Sequence, residues 1–196
     1  MPTALQERLY ALAEDQGGYF TTRQVRAARM DHHAILHMCR RGAVERISRG
    51  VYRLSHFPPV PHGQEVEATL WPAGGRYGVQ GVLSHDSALR FWELSDVSPS
   101  RVHITVPRRY RVRRTVPRHL IIHYAELPAR DVTRYEGVPV TTPPRTILDC
   151  AEAGLAPRLV RQAITDGRRT GRLTRREADA LLATLRRGRA PAAARS

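Results

Sequence analysis

The sequence predicts an α+β fold: an N-terminal winged helix-turn-helix followed by a mixed α/β domain with a helical C-terminal end. Three observations carry this. From Thr21 to Leu54 two capped amphipathic helices lead into two β-prone runs joined by Ser-Arg-Gly. From Val79 to Thr141 short apolar runs, one of them cleanly alternating, surround a single helical stretch. Beyond Thr142 only helical periods remain. The expected units are residues 1–54, a proline-bearing linker 55–63, an α/β domain 64–186 and a basic tail 187–196.

In chain order, Thr3–Glu14 reads as a helix with Leu5, Leu9, Leu12 and Ala13 on one face, ended by Gly17-Gly18. Tyr19-Phe20 are expected beneath the next helix as a hydrophobic staple. Thr21 begins a capping box with Gln24, opening a helix over about Thr22–Arg29 that buries Val25 and Ala28. Asp31 caps a second helix, about His32–Arg41, because its carboxylate accepts the unpaired N–H groups of the first turn. Ile35, Met38 and Cys39 form the core-facing stripe of that helix. Its other face carries His32, His33, His37 and Arg40. Gly42 suits a left-handed helix end. Val44–Ile47 and Val51–Leu54 then form a hairpin with Gly50 at the positive-φ position. Helix, turn, helix and an arginine-studded hairpin is the layout of a DNA reader.

The segment 55–63 holds three prolines and reads as a linker or domain-crossing arm. Val79–Leu83 follows as a buried strand, and Ser84 caps a helix over Asp86–Leu94. Val102–Val106, Leu120–Tyr124 and Val138–Thr141 are further strands. Thr142 caps a helix with Pro143 at its first position, where the missing N–H costs nothing. Leu155–Thr165 is another helix. Thr174 and Glu177 form a capping box for the last, with Ala178, Leu181, Leu182 and Leu185 as its stripe. From Arg186 the Arg/Ala/Pro composition predicts a frayed cationic tail.

Composition bounds the function independently. A formal charge of +14 and a pI near 11.2 fit a polyanionic partner. All 32 cationic residues are arginine; the plainer cause of that bias is GC-rich coding. The absence of lysine removes the P-loop and the lysine-bearing nuclease motif. Cys39 and Cys150 fall on apolar helix faces, which is core behaviour suited to a reducing cytoplasm. No run of about eighteen apolar residues exists, so a cytoplasmic protein without a membrane span is expected.

Candidate sites follow from this frame. His33 and His37 lie four apart and could form a metal pair, but the glutamate of a zinc-protease motif is missing, and a base-reading face fits better. With His32 and Arg40 they form the expected recognition surface. Arg41, Arg46, Arg49 and Arg53 sit where phosphates or a minor groove would be met. Thr22 and Arg23 at a helix N-terminus suit a phosphate clamp. Arg101–Arg118 holds seven arginines and no acid; a solvated edge strand and an auxiliary nucleic-acid surface are even alternatives. Ser84, His85, Asp86 and Ser87 read as a helix start, because adjacent residues there do not converge on one atom. Arg145 and Asp149 read as a helix-surface pair. No catalytic residue, metal or cofactor is expected.

The wing sequence ERISRGVYRL, with Arg49, Gly50 and Tyr52 in close order, resembles the N-terminal domain of the AbiEi-type antitoxins. VTTPPRTILDCA (Val140–Ala151) and LSHDSALRFWEL (Leu83–Leu94) resemble the domain that follows it in that family. The resemblance implies a winged-helix transcriptional autoregulator of a type IV toxin–antitoxin pair, binding double-stranded operator DNA. It also implies antagonism of a nucleotidyltransferase-type toxin without a stable complex. Two alternatives from other classes stay open: a winged-helix-targeted nuclease and a basic RNA-associated protein. The first lacks a carboxylate cluster, and the second lacks stacking aromatics, at 6% of residues.

Overall fold

The structure is a computed structural model that describes residues 4–74 and 78–188. Its N-terminal part holds helices α1 (Ala4–Ala13), α2 (Thr22–Ala27) and α3 (His32–Arg40) with strands β1 (Tyr19–Thr21), β2 (Val44–Ser48) and β3 (Val51–Leu54). The local signals act as expected. Thr21 and Gln24 form a complete capping box at α2. The Asp31 carboxylate accepts from the His33 N–H, 2.9 Å away. Gly42 and Gly50 have φ of +72° and +81°. Leu9, Ala13, Phe20, Val25, Ile35, Val44 and Tyr52 form the core, each large side chain contributing about 2 kcal/mol by leaving water.

Two details differ from expectation. Phe20, just before the Thr21 cap, shares the core with Val25 as a staple residue should, while Tyr19 packs against the sheet-domain core. With Thr21 the two also form β1, which pairs antiparallel with β3 in a sheet of order β1-β3-β2. The α2 helix stops at Ala27, and Arg29 takes a left-handed φ of +53° that turns the chain toward Asp31.

A helix that the sequence did not announce, α4 (Gly63–Leu70), leads into a tight 3-10 turn at Trp71–Gly74. The second part then builds a five-stranded sheet from β4 (Val82–Leu83), β5 (Val102–Val106), β6 (Leu120–Tyr124), β7 (Val132–Tyr135) and β8 (Val138–Thr141). Its order is β6-β5-β4-β8-β7, with β5/β6 and β4/β8 parallel and the other pairs antiparallel. Helices α5 (His85–Phe91), α6 (Pro143–Glu152), α7 (Pro157–Arg169) and α8 (Arg175–Gly188) complete it. One core joins Leu83, Leu89, Trp92, Val140, Ile147 and Ile164; a smaller one joins Trp71, Ile104, Val106 and Leu120. Val51 of the wing is fully buried in the larger of these, with Tyr19 packed beside it. The winged helix is thus seated on the sheet domain through its own hairpin.

Several expectations need correction. The strand expected at Val79–Leu83 is only Val82–Leu83, because the Gly81 N–H turns to the Thr69 carbonyl at 2.8 Å. β7 was unforeseen; it forms a hairpin with β8 through Glu136 and Gly137, both at positive φ. Ser84 and Thr142 occupy N-cap positions but neither side chain caps. The Ser84 hydroxyl instead accepts from Thr105 Oγ1 at 2.8 Å. The helix expected at Leu155–Thr165 runs Pro157–Arg169, with proline again in its first turn. The Thr174–Glu177 capping box is present. Of the expected tail, residues 187 and 188 close α8, and 189–196 lie outside the described residues.

The Arg145–Asp149 pair is not a surface pair. Asp149 is 6% exposed, and Arg145 bonds both it (2.8 Å) and Asp131 in the turn just before β7 (2.9 Å). Burial nonetheless pushes the Asp149 carboxyl above the usual carboxylate range, against the pull of Arg145.

Candidate nucleic-acid interface

The α3 helix is a nine-residue element whose inward stripe is fixed by Ile35, with Met38 and Cys39 packed against the core. Burial on one side dictates what the other side shows. His33, His37, Arg40 and Arg41, at positions i, i+4, i+7 and i+8, are all exposed. His32 leans inward instead: its Nε2 lies 3.4 Å from the Tyr52 hydroxyl, with the two rings edge to face. The exposed face carries ring and guanidinium N–H donors, and its one acid, Asp31, is turned back to cap the helix. Such donors match guanine O6/N7 and phosphate oxygens.

Beside it, β2 places Arg46 in solvent, and the hairpin tip places Arg49 there. The strand is bulged between Arg46 and Ser48, which adds twist just before the tip. Glu45 is also exposed and lies opposite Arg53 in the β2–β3 ladder. The Arg53 guanidinium is used inside the chain. It donates to the Phe57 and Pro58 carbonyls (2.8 and 3.1 Å), lies 5.6 Å over the Tyr19 ring, and so pins the chain leaving the wing.

The pair at the α2 N-terminus is likewise engaged within the chain. The Thr22 N–H donates to the Gly50 carbonyl at 3.0 Å, and Arg23 donates to the Gly78 carbonyl of the second part. Of the residues singled out from sequence, the structure therefore gathers His33, His37, Arg40, Arg41, Arg46 and Arg49 as outward side chains. Arg23 is also exposed, although its guanidinium donates to the Gly78 carbonyl; Thr22, tied by its backbone N–H, Arg53 and His32 are half-buried.

What sequence reasoning missed is how the wing tip is held. A Cβ on Gly50 would lie 2.2 Å from the Gly74 carbonyl oxygen, so the hairpin touches the Trp71–Gly74 turn backbone to backbone. Arg114 locks the contact. Its guanidinium stacks 3.9 Å from the Trp71 ring centre, donates to the Trp71 carbonyl, and donates to the Arg49 carbonyl at 2.8 Å. The clamp takes the Arg49 backbone and leaves its side chain in solvent. The partners are 65 residues apart, and no local pattern announces them.

A second unforeseen group is a histidine stack. His85, in left-handed conformation (φ +52°) at the start of α5, lies flat on His123 with centroids 3.5 Å apart. His123 Nε2 meets His103 Nδ1 at 3.1 Å. Burial, then the neighbouring imidazoles, lower His85 to about 3; burial, then His103, lower His123 to about 4. Both rings are therefore neutral at pH 7, which lets one nitrogen accept from the next. Among the described residues no three His, Cys, Asp or Glu side chains are arranged to hold a metal ion.

The stack has a consequence for stability. These histidines bind protons more weakly in the folded chain than in the unfolded one, so stability is full above about pH 6.5 and falls as pH drops toward the folded values. Each proton excluded by the fold contributes up to about 1.4 kcal/mol per pH unit. Urea unfolding at pH 7 and pH 5 is expected to show a loss of up to about 4 kcal/mol, about 2 for each histidine, and a smaller loss in His123→Gln. An equal loss in both proteins would place the acid sensitivity elsewhere.

Comparison with known proteins gives two family matches. Residues 7–55 match a family described as a transcriptional regulator, AbiEi antitoxin, and residues 79–163 match the AbiEi antitoxin C-terminal domain. The first match runs from within α1 to just past the end of β3. The second contains both further segments on which the sequence resemblance rests, Leu83–Leu94 and Val140–Ala151. No curated protein matches the chain. A crystal structure of the RV2827C protein from Mycobacterium tuberculosis is similar to it at 17% identity and a TM-score of 0.49, covering 93% of this chain and 72% of that one. No helix among the described residues is long and apolar enough to cross a membrane.

Proposed function

We propose a role that starts from the family: the chain belongs, in both of its parts, to the AbiEi-type antitoxins, which are DNA-binding antitoxin regulators. In this reading α3 enters the major groove of an operator near the chain's own promoter. His33, His37 and Arg40 meet base edges there, while Arg41, Arg46 and Arg49 hold phosphates. Thr22, Arg23, His32 and Arg53 act behind them by fixing the helix and hairpin. Occupancy of the operator represses transcription of the chain and its neighbour.

The single observation that carries this is the one-sided surface of α3, four exposed donors on a helix packed by Ile35, flanked by exposed wing arginines. The reading is of a binding protein that needs no cofactor. Its family further supports pairing with a nucleotidyltransferase-type toxin whose action it opposes without a stable complex. A toxin gene beside this one separates this role from that of a solitary repressor.

The DNA reading is tested by salt dependence. If Arg41, Arg46 and Arg49 displace counterions from phosphates, log K should fall against log salt with a slope of about −2.7 or steeper on duplex DNA. Fluorescence anisotropy at several salt concentrations checks this. A slope near zero contradicts the electrostatic half of the proposal.

A further inference from the structure

We propose that the acidic cavity between the turn before β7, helix α6 and helix α8 is a binding site for an aliphatic di- or polyamine, with one ammonium group on Asp149 and the methylene chain along Leu148. The site lies apart from the candidate DNA interface, and nothing in it depends on the DNA-binding reading.

The cavity encloses about 430 Å³, within the size range of small-molecule sites. Local sequence builds its main wall. Pro143 and Pro144 open α6, and the helical period then puts Arg145, Leu148, Asp149 and Glu152 on one face, at i, i+3, i+4 and i+7. Asp131 joins them from the turn before β7, and Glu177 from the first turn of α8. Thr142, Pro144, Arg145, Leu148 and Asp149 all fall within Val140–Ala151, a segment that carries the family resemblance and has no place at the DNA interface.

Charge here runs against the rest of the chain. A protein of formal charge +14 lines this cavity with four carboxylates and two guanidiniums. Arg145 is fully engaged on one side: Nε donates to Asp149 Oδ1 at 2.8 Å and Nη1 to Asp131 Oδ2 at 2.9 Å. The Arg130 side chain is 86% exposed and reaches Asp131 only at 3.9 Å. Glu177 accepts from Thr174 through Oε2. Among the described residues no ion pair includes Glu152 or Glu177.

The decisive atom is Asp149 Oδ2. Its side chain is 7% exposed, yet this oxygen has no hydrogen-bond partner. A buried acceptor left unsatisfied is costly, and such atoms commonly mark the place of a water, ion or ligand. Burial raises the Asp149 carboxyl and the Glu152 charge adds to the rise, so a cation is the partner that relieves both. No three His, Cys, Asp or Glu side chains among the described residues are arranged to hold a metal ion. A guanidinium presents a planar fork suited to both oxygens of one carboxylate, and Oδ1 already has Arg145. An ammonium is a compact donor that can meet Oδ2 singly and turn its other N–H groups to Glu152.

The aliphatic part of the ligand follows from the neighbouring wall. Leu148 and Glu152 also line an adjoining groove among α6, α7 and α8, walled by Leu155, Val160, Leu182 and Leu185. A methylene chain leaving the acidic cavity is removed from water there.

The test is calorimetric titration of the full chain, free of DNA, with spermidine and with putrescine. Ligand and chain are both cationic, so general attraction to the surface does not imitate a site. The expected result is saturable one-to-one binding, weakened about tenfold or more in Asp149→Asn and in Glu152→Gln. Glu7→Gln, which removes an exposed acid on α1, should bind as the wild type does. Glu152 is exposed, so its variant decides the matter even if Asp149→Asn fails to fold. No binding of either amine overturns the site. Undiminished binding in Glu152→Gln overturns it too, as does equal weakening in Glu152→Gln and Glu7→Gln, because any acid then serves. Each of these outcomes leaves the DNA-binding reading as it stands.

Discussion

Gly50→Val is expected to lower stability by about 3 kcal/mol and to weaken DNA binding in the same protein. Two effects add. At φ +81° a β-branched side chain is strained, by about 1–3 kcal/mol. Its Cβ would also sit 2.2 Å from the Gly74 oxygen and 2.8 Å from the Gly74 Cα, and these are backbone atoms that cannot swing aside. The hairpin tip must therefore lift from the Trp71–Gly74 turn, releasing Arg114 from the Arg49 carbonyl. The core around Leu9, Val25 and Ile35 includes no residue of this turn and should stay folded. Gly42→Ala is the matched control: φ is +72°, but nothing lies within 4 Å of the new carbon, so only about 1 kcal/mol of stability should go. Thermal unfolding and DNA affinity on both variants decide it. A Gly50→Val protein with wild-type stability and affinity would show that the wing tip is not seated on the sheet domain.

Arg145→Ala is expected to be as damaging, at about 3–5 kcal/mol, without any part in DNA binding. Asp149 is buried, its Oδ2 already has no hydrogen-bond partner, and Arg145 supplies the bond to its other oxygen. Removing the guanidinium leaves one buried carboxylate unpaired and another, Asp131, without its strap to α6. The Asp149 carboxyl, already raised by burial, would rise further. Its protonation then relieves the penalty, so the deficit relative to wild type should shrink between pH 7 and pH 5. Adding Asp149→Asn to the variant should restore part of the stability at neutral pH. Urea unfolding across pH provides the readout; a deficit that grows on acidification would mean the carboxylate is not the source.

Both variants act on pairings that the chain's local patterns treat differently, and that separates what could be read from the sequence and what could not. The caps at Thr21/Gln24 and Asp31, the left-handed glycines 42 and 50, and the stripe ending in Met38 and Cys39 are set within four residues or so. Local chemistry decides them, and the exposed face of α3 follows at once. Arg145 and Asp149 were legible as a pair for the same reason, but their burial and the tie to Asp131 were not. β1 is three residues long and exists because Val51, Tyr52 and Arg53 offer it a partner about thirty residues on. Ser84 looks like a cap, yet its hydroxyl is taken by Thr105 from β5, an acceptor role no helix-start pattern reveals. Thr22, Arg23 and Arg53 have the residue types of a phosphate site, but carbonyls elsewhere in the fold claim their donors. The histidine stack needs three elements to meet, and Arg114 needs two parts of the chain to dock. In each case the residue type was visible and its partner was not.

The central claim is that α3 reads sequence while the wing holds the backbone. It is tested most directly by measuring the affinities of wild type, His33→Ala, Arg40→Ala and Arg49→Ala for operator duplex and for a random duplex of equal length. Arg49→Ala keeps the carbonyl that Arg114 grips, so it removes only the outward cation. Arg49→Ala is expected to weaken both duplexes alike, while the two α3 variants narrow the gap between them by about 1–3 kcal/mol for each base edge left unread. Equal weakening on both duplexes for all three variants would contradict the assignment of α3 as the recognition helix.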